Sequence, residues 1–120
     1  MNKSTFLLIS LFLISGCASN QKSGAGPYPE NWKSLAMNYI KTNYADPYSI
    51  RDSQIAPPFR SNKAFFDSWI ICIRNNAKNK FGGYTGLRAT DLIVQHGQIV
   101  QEDTVPSDCR GARYESFPVN

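Results

Sequence analysis

The stretch Leu92-Ile93-Val94-Gln95-His96-Gly97-Gln98-Ile99-Val100-Gln101 constrains the fold more than any other part of the chain. Two β-rich runs flank a two-residue turn that ends in glycine, and a type I′ turn needs positive φ at both central residues. Glycine adopts positive φ without steric cost, and histidine tolerates it better than most side chains. An antiparallel hairpin follows, with Val94 opposite Ile99 and Ile93 opposite Val100. The segment from Asp67 to Arg74 alternates Trp69, Ile71 and Ile73 with Ile70 and Cys72, so both of its faces are apolar. Such a strand belongs in the middle of a sheet, covered on both sides. Tyr48 to Ala56 reads as a first strand ended by Pro57-Pro58, and Leu87 to Gln95 as the strand entering the hairpin.

One helix precedes these strands. Trp32, Leu35, Ala36, Tyr39 and Ile40 recur at helical spacing on one face, with Lys33, Asn38 and Lys41 on the other. Pro29 suits the start, and Pro47 biases Asp46 away from helical geometry, so the helix should end near Tyr44. The stripe reads as core. The expected fold class is therefore α+β: one N-terminal amphipathic helix packed on a small antiparallel sheet of three to four strands.

The beginning of the chain concerns location. A short positive start, Met1-Asn2-Lys3, leads into an apolar run from Phe6 to Ile14 and then Ser15-Gly16-Cys17. The run is far too short to cross the roughly 30 Å hydrocarbon core, and the pattern is that of a secretory signal peptide. Its end, Leu13-Ile14-Ser15-Gly16-Cys17, resembles the lipobox of bacterial lipoproteins. The resemblance implies a diacylglyceryl group on the Cys17 thiol, cleavage before the cysteine and acylation of the new amine. Several acyl chains anchor firmly where one would hold only marginally. Ala18 and Ser19 follow where aspartate would retain such a protein at the inner membrane, which implies the outer membrane, with the domain facing the periplasm. The expected organisation is a signal peptide at 1–16, lipidated Cys17 and a flexible tether over 17–29, and one domain over 30–120. The tether is poor in residues to bury, and its r.m.s. reach is about 20 Å.

Of three cysteines, lipidation of Cys17 leaves Cys72 and Cys109. An even pair in an exported domain is a natural disulfide. Two buried thiols or a redox pair are the alternatives, and no C-x-x-C spacing is present.

Thirteen Lys and Arg against nine Asp and Glu give a net charge of +4, with no basic block. This scatter excludes a dedicated nucleic-acid binder. The single histidine, His96, reads as a turn former. It leaves little material for a catalytic triad or a metal site, and no cluster has metal-ligand spacing. Asp67, Asp91, Glu102 and Asp103 could supply a carboxylate pair of the kind glycosidases use, but Glu102-Asp103 reads as a solvated acidic strand end. Phe81-Gly82-Gly83-Tyr84-Thr85-Gly86 is glycine-rich, but strand rather than helix follows, so a phosphate loop is not expected. It reads as a sharp β connection with glycines, Gly83 among them, at positive φ. Lys78, Asn79, Lys80 and Tyr84 are the side chains such a loop could use for recognition.

Asp46-Pro47-Tyr48-Ser49, then Cys72, then Asn76-Ala77-Lys78-Asn79-Lys80-Phe81-Gly82-Gly83-Tyr84-Thr85-Gly86 resemble a D-P-x-S … C … N-A-K-N-x-x-G-G-Y-x-G pattern of small exported bacterial proteins. That resemblance implies a fold and no reaction. The expectation is a lipid-anchored envelope domain that binds or supports an envelope protein or peptidoglycan, with no catalysis, cofactor or metal. The alternatives are an accessory subunit or inhibitor of a secretion, conjugation or cell-wall complex, and then a small cell-wall hydrolase.

Overall fold

A computed structural model describes residues 24–61, 67–104 and 108–119; the expected signal peptide, Cys17 and the first part of the expected tether lie outside them. Helix α1 (Trp32–Asn43) is followed by a 3-10 turn at Pro47–Ser49 and by strands β1 (Arg51–Ser61), β2 (Ser68–Lys78), β3 (Tyr84–Gln95), β4 (Gln98–Asp103) and β5 (Glu115–Ser116). The strands form one antiparallel sheet in the order β4-β3-β2-β1-β5. The class is α+β, but the sheet has five strands rather than three or four, and the helix does not stand at the N-terminus of the chain. The fifth strand is only two residues long, too short to leave a periodic signal.

Alternation along β2 divides the interior into two layers. Ile71 and Ile73, with Ile55, Leu92 and Val94, face α1 and pack on Ala36 and Ile40; Phe117 and Val119 from the chain's end close that core. Ile70 and Cys72, with Ala56 and Ile93, face the other way and are covered by Cys109, Ala112 and Tyr114. The central strand is thus buried on both faces, as its composition requires. The second cover is an arm of chain fastened by the Cys72–Cys109 disulfide, whose Cα atoms are 5.6 Å apart, inside the range a disulfide permits.

Four strand boundaries differ from expectation. β1 begins at Arg51, because Pro47–Ser49 makes a turn whose Ser49 hydroxyl donates to the Asp46 carbonyl at 2.9 Å. It then runs through Pro57-Pro58, with a register shift between Ala56 and Phe59. β5 pairs only with Gln54 and Ile55, so beside the prolines β1 is an edge, where a missing N–H costs no ladder bond. β2 and β3 also run on past the expected ends, to Lys78 and back to Tyr84, because the hairpin ladder satisfies the backbone of a segment whose side chains are polar. In the β3–β4 hairpin His96 (φ 48°) and Gly97 (φ 76°) make the expected turn. Val94 lies opposite Ile99, but Ile93 pairs with Gln101. Val100 is left out of the ladder and half exposed, as a bulged residue is.

Candidate recognition site at the far end of the sheet

The β2–β3 hairpin closes over Asn79–Gly83, and the asparagine builds the turn. Its Oδ1 accepts from the backbone N–H groups of Phe81 (3.0 Å) and Gly83 (3.1 Å), while its own N–H donates to the Gly83 carbonyl at 2.9 Å. Positive φ falls on Gly82 and Gly86, not on Gly83. Asn76 secures the second of these by accepting from the Gly86 N–H at 3.1 Å. Tyr84 donates its hydroxyl to the Ser49 carbonyl at 2.9 Å, with Arg51 4.2 Å and Lys78 5.4 Å from its ring centre. Of the four residues proposed for recognition, Asn79 and Tyr84 therefore spend their polar atoms on the fold. Lys80 is exposed at the tip, and Lys78 is half-buried beside the Tyr84 ring.

The structure also leaves two aromatics exposed. Phe81 at the hairpin tip is 85% exposed and Tyr48 in the 3-10 turn is 80% exposed. Lys80 lies 5.3 Å from the Phe81 ring centre. A large aromatic between lysine and glycine was visible in the sequence; treating the segment as a turn concealed that its ring has nothing to pack on.

The opposite end of the sheet holds the chain's entry. Residues 24–29, part of the expected tether, dock against the base instead. Ala25 is fully buried; its N–H donates to Asp67 Oδ2 at 3.3 Å and its carbonyl accepts from the His96 N–H at 2.9 Å. Trp69 Nε1 donates to the Gly26 carbonyl at 3.1 Å, and Tyr28 meets Trp69 edge-on at 5.1 Å. Arg60 clasps Asp67 with two hydrogen bonds and holds that carboxyl below the usual range against the opposing effect of burial, with the Ala25 N–H helping. A side chain on Gly26 (φ 74°) would come within 2.5 Å of His96 Nδ1. Gly26→Ala should therefore undock this entry segment at a cost of about 1–3 kcal/mol. Amide exchange at Ala25 and His96 rising to solvent rates, with the β2 core still protected, would report it; unchanged protection would count against the docking.

Of the four candidate carboxylates, the sheet sets Asp91 and Asp103 opposite each other, while Asp67 and Glu102 stand apart from that pair. Asp67 sits at the base with Arg60. Glu102 pairs with Leu92 on the helix side, while Asp103 pairs with Asp91 on the arm side, since consecutive strand residues face opposite ways. Asp91 is 2% exposed. It lies with Cys72 and Cys109 in a cluster whose ligand atoms are within 4.8 Å of one another; the two sulfurs are bonded to each other and offer no thiolate. Tyr114 beside it has its hydroxyl pushed to a higher pKa, chiefly by burial, with Arg74 opposing and Asp91 adding to the rise. Among the described residues no helix is long and apolar enough to cross a membrane.

No family model, curated protein or solved structure matches this chain.

Proposed function

We propose that this chain is an envelope lipoprotein, anchored by lipid on Cys17 at the outer membrane and facing the periplasm, whose domain binds an envelope component and catalyses nothing. The reading is supported by the opposed placement of entry and display. The chain joins the domain at the base of the sheet, through the docking of Ala25 and Gly26. Phe81, Lys78 and Lys80 stand at the other end of β2, roughly 35 Å away at the usual rise per strand residue. The six residues from 18 to 23 can span at most about 20 Å. An anchor at Cys17 would keep the base beside the membrane and present the hairpin tip to the layer beyond it. Peptidoglycan and the proteins bound to it are the partners within that reach. A subunit or inhibitor of an envelope complex would use the same tip, and crosslinking distinguishes the two.

Replacing Lys80 and Phe81 together by alanine should leave the melting temperature within about 2 °C, because an exposed charge and an exposed ring contribute little. The same variant should lose most co-sedimentation with purified peptidoglycan, or most crosslinking to an envelope protein. Undiminished recovery in both assays would leave the hairpin tip as structure alone.

A further inference from the structure

The arm that covers the second face of the sheet does more than bury apolar surface. Cys109-Arg110-Gly111-Ala112 is a reverse turn, with Gly111 at φ 73° and the Ala112 N–H donating to the Cys109 carbonyl at 3.3 Å. Glycine in the third position is what a tight turn of that kind demands. The corner residue is Arg110. Below it on β2 lies Arg74, whose Nε donates to Gln54 Oε1 and whose guanidinium lies 4.1 Å from the Tyr114 ring centre. The two arginines line one hollow of about 360 Å³, with the small residues Ala89, Gly111 and Ala112 around it.

Neither arginine has an ion-pair partner among the described residues. Of the acidic groups nearby, Asp108 accepts from the Ser61 hydroxyl at 3.2 Å, and Asp91 is buried and does not line the hollow. Packing accounts for one guanidinium stacked on Tyr114. It does not account for a second cation lining the same hollow. A guanidinium fixed at Nε and on its flat face has lost its rotamer freedom before any ligand arrives, and its terminal nitrogens fit the paired oxygens of carboxylate or phosphate.

We infer that the hollow between Arg74 and Arg110 is a binding site for one oxyanion, a carboxylate or phosphate group, and that the Cys72–Cys109 bond holds the site together by fixing Arg110 above Arg74. The site is independent of the hairpin tip and of the lipid anchor.

The test is a titration of the full chain in detergent micelles, at constant ionic strength, with inorganic phosphate and separately with acetate, followed by amide and arginine Nε resonances. Saturable shifts confined to Arg74, Ala89, Arg110 to Ala112 and Tyr114 are expected. Saturation by phosphate alone assigns phosphate esters, by acetate alone carboxylates, and by both a general oxyanion site. Arg110→Ala, at an exposed turn corner, should keep the fold and weaken binding roughly tenfold, the worth of one charge-assisted contact. Shifts that never saturate with either anion, or an Arg110→Ala variant that binds as wild type, would overturn the site. Unchanged affinity in reduced but folded protein would remove the disulfide from it.

Discussion

Cys17→Ser should abolish incorporation of labelled palmitate and leave the protein unprocessed or soluble. The chain has three cysteines, and two of them are bonded to each other. Cys17 is thus the cysteine left to carry a thioether-linked lipid, and it stands where the apolar run ends. Serine keeps the size and the small-residue surroundings but removes the nucleophilic sulfur, so the effect is all or none. Membrane fractionation supplies a second readout, since loss of several acyl chains removes about 0.8 kcal/mol per buried methylene. Equal palmitate labelling of wild type and variant would defeat the lipoprotein reading. It would leave the oxyanion site and the hairpin tip untouched.

Deleting the disulfide should have the next largest effect. Cys72 and Cys109 are separated by 37 residues, and closing such a loop stabilises by roughly 3–4 kcal/mol in the chain-entropy account. A small domain has only about 5–15 kcal/mol in total. The bond here also holds the arm onto Ala56, Ile70 and Ile93, so freeing the arm uncovers the second face of the sheet. Cys109→Ala should lower stability by about 2–5 kcal/mol and the melting temperature by roughly 10–40 °C. Thermal unfolding in oxidising buffer measures this, and a loss under about 1 kcal/mol would show that the arm stays in place without its bond. Two free thiols from Cys72 and Cys109 in denatured, unreduced protein would rule out the bond itself.

The loop chosen for recognition shows how far residue types carry an argument. Asn, Lys and Tyr are suitable for contacts, but whether a side chain is available depends on what its neighbours ask of it. Asn79 is occupied by two amides of its own turn and Tyr84 by a carbonyl 35 residues earlier. The first could have been suspected from Asn-x-x-x-Gly spacing, since Asx side chains often cap their own turns. The second could not, because Ser49 meets Tyr84 only once β1, β2 and the 3-10 turn have assembled.

Much of the architecture was legible because it rests on interactions within a few residues. The apolar stripe of α1 follows from 3.6-residue periodicity, the His96-Gly97 turn from positive φ, and the central place of β2 from apolar residues on both of its faces. The pairing of Cys72 with Cys109 came from counting cysteines and from the export that the start of the chain leads one to expect. Other features depend on partners far along the chain. Pro57-Pro58 sits inside a strand because β5 stops short of it, and Asn75 to Lys78 is strand because Tyr84 to Arg88 supplies the ladder. The entry segment is docked rather than free because Asp67, Trp69 and His96, from three separated positions, each offer its backbone a hydrogen bond. Arg74 and Arg110 come together only through the disulfide and a reverse turn at Gly111. Local periodicity and turn chemistry act on neighbours in sequence, whereas pairing, docking and the convergence of charges need surfaces that exist only after the chain has folded.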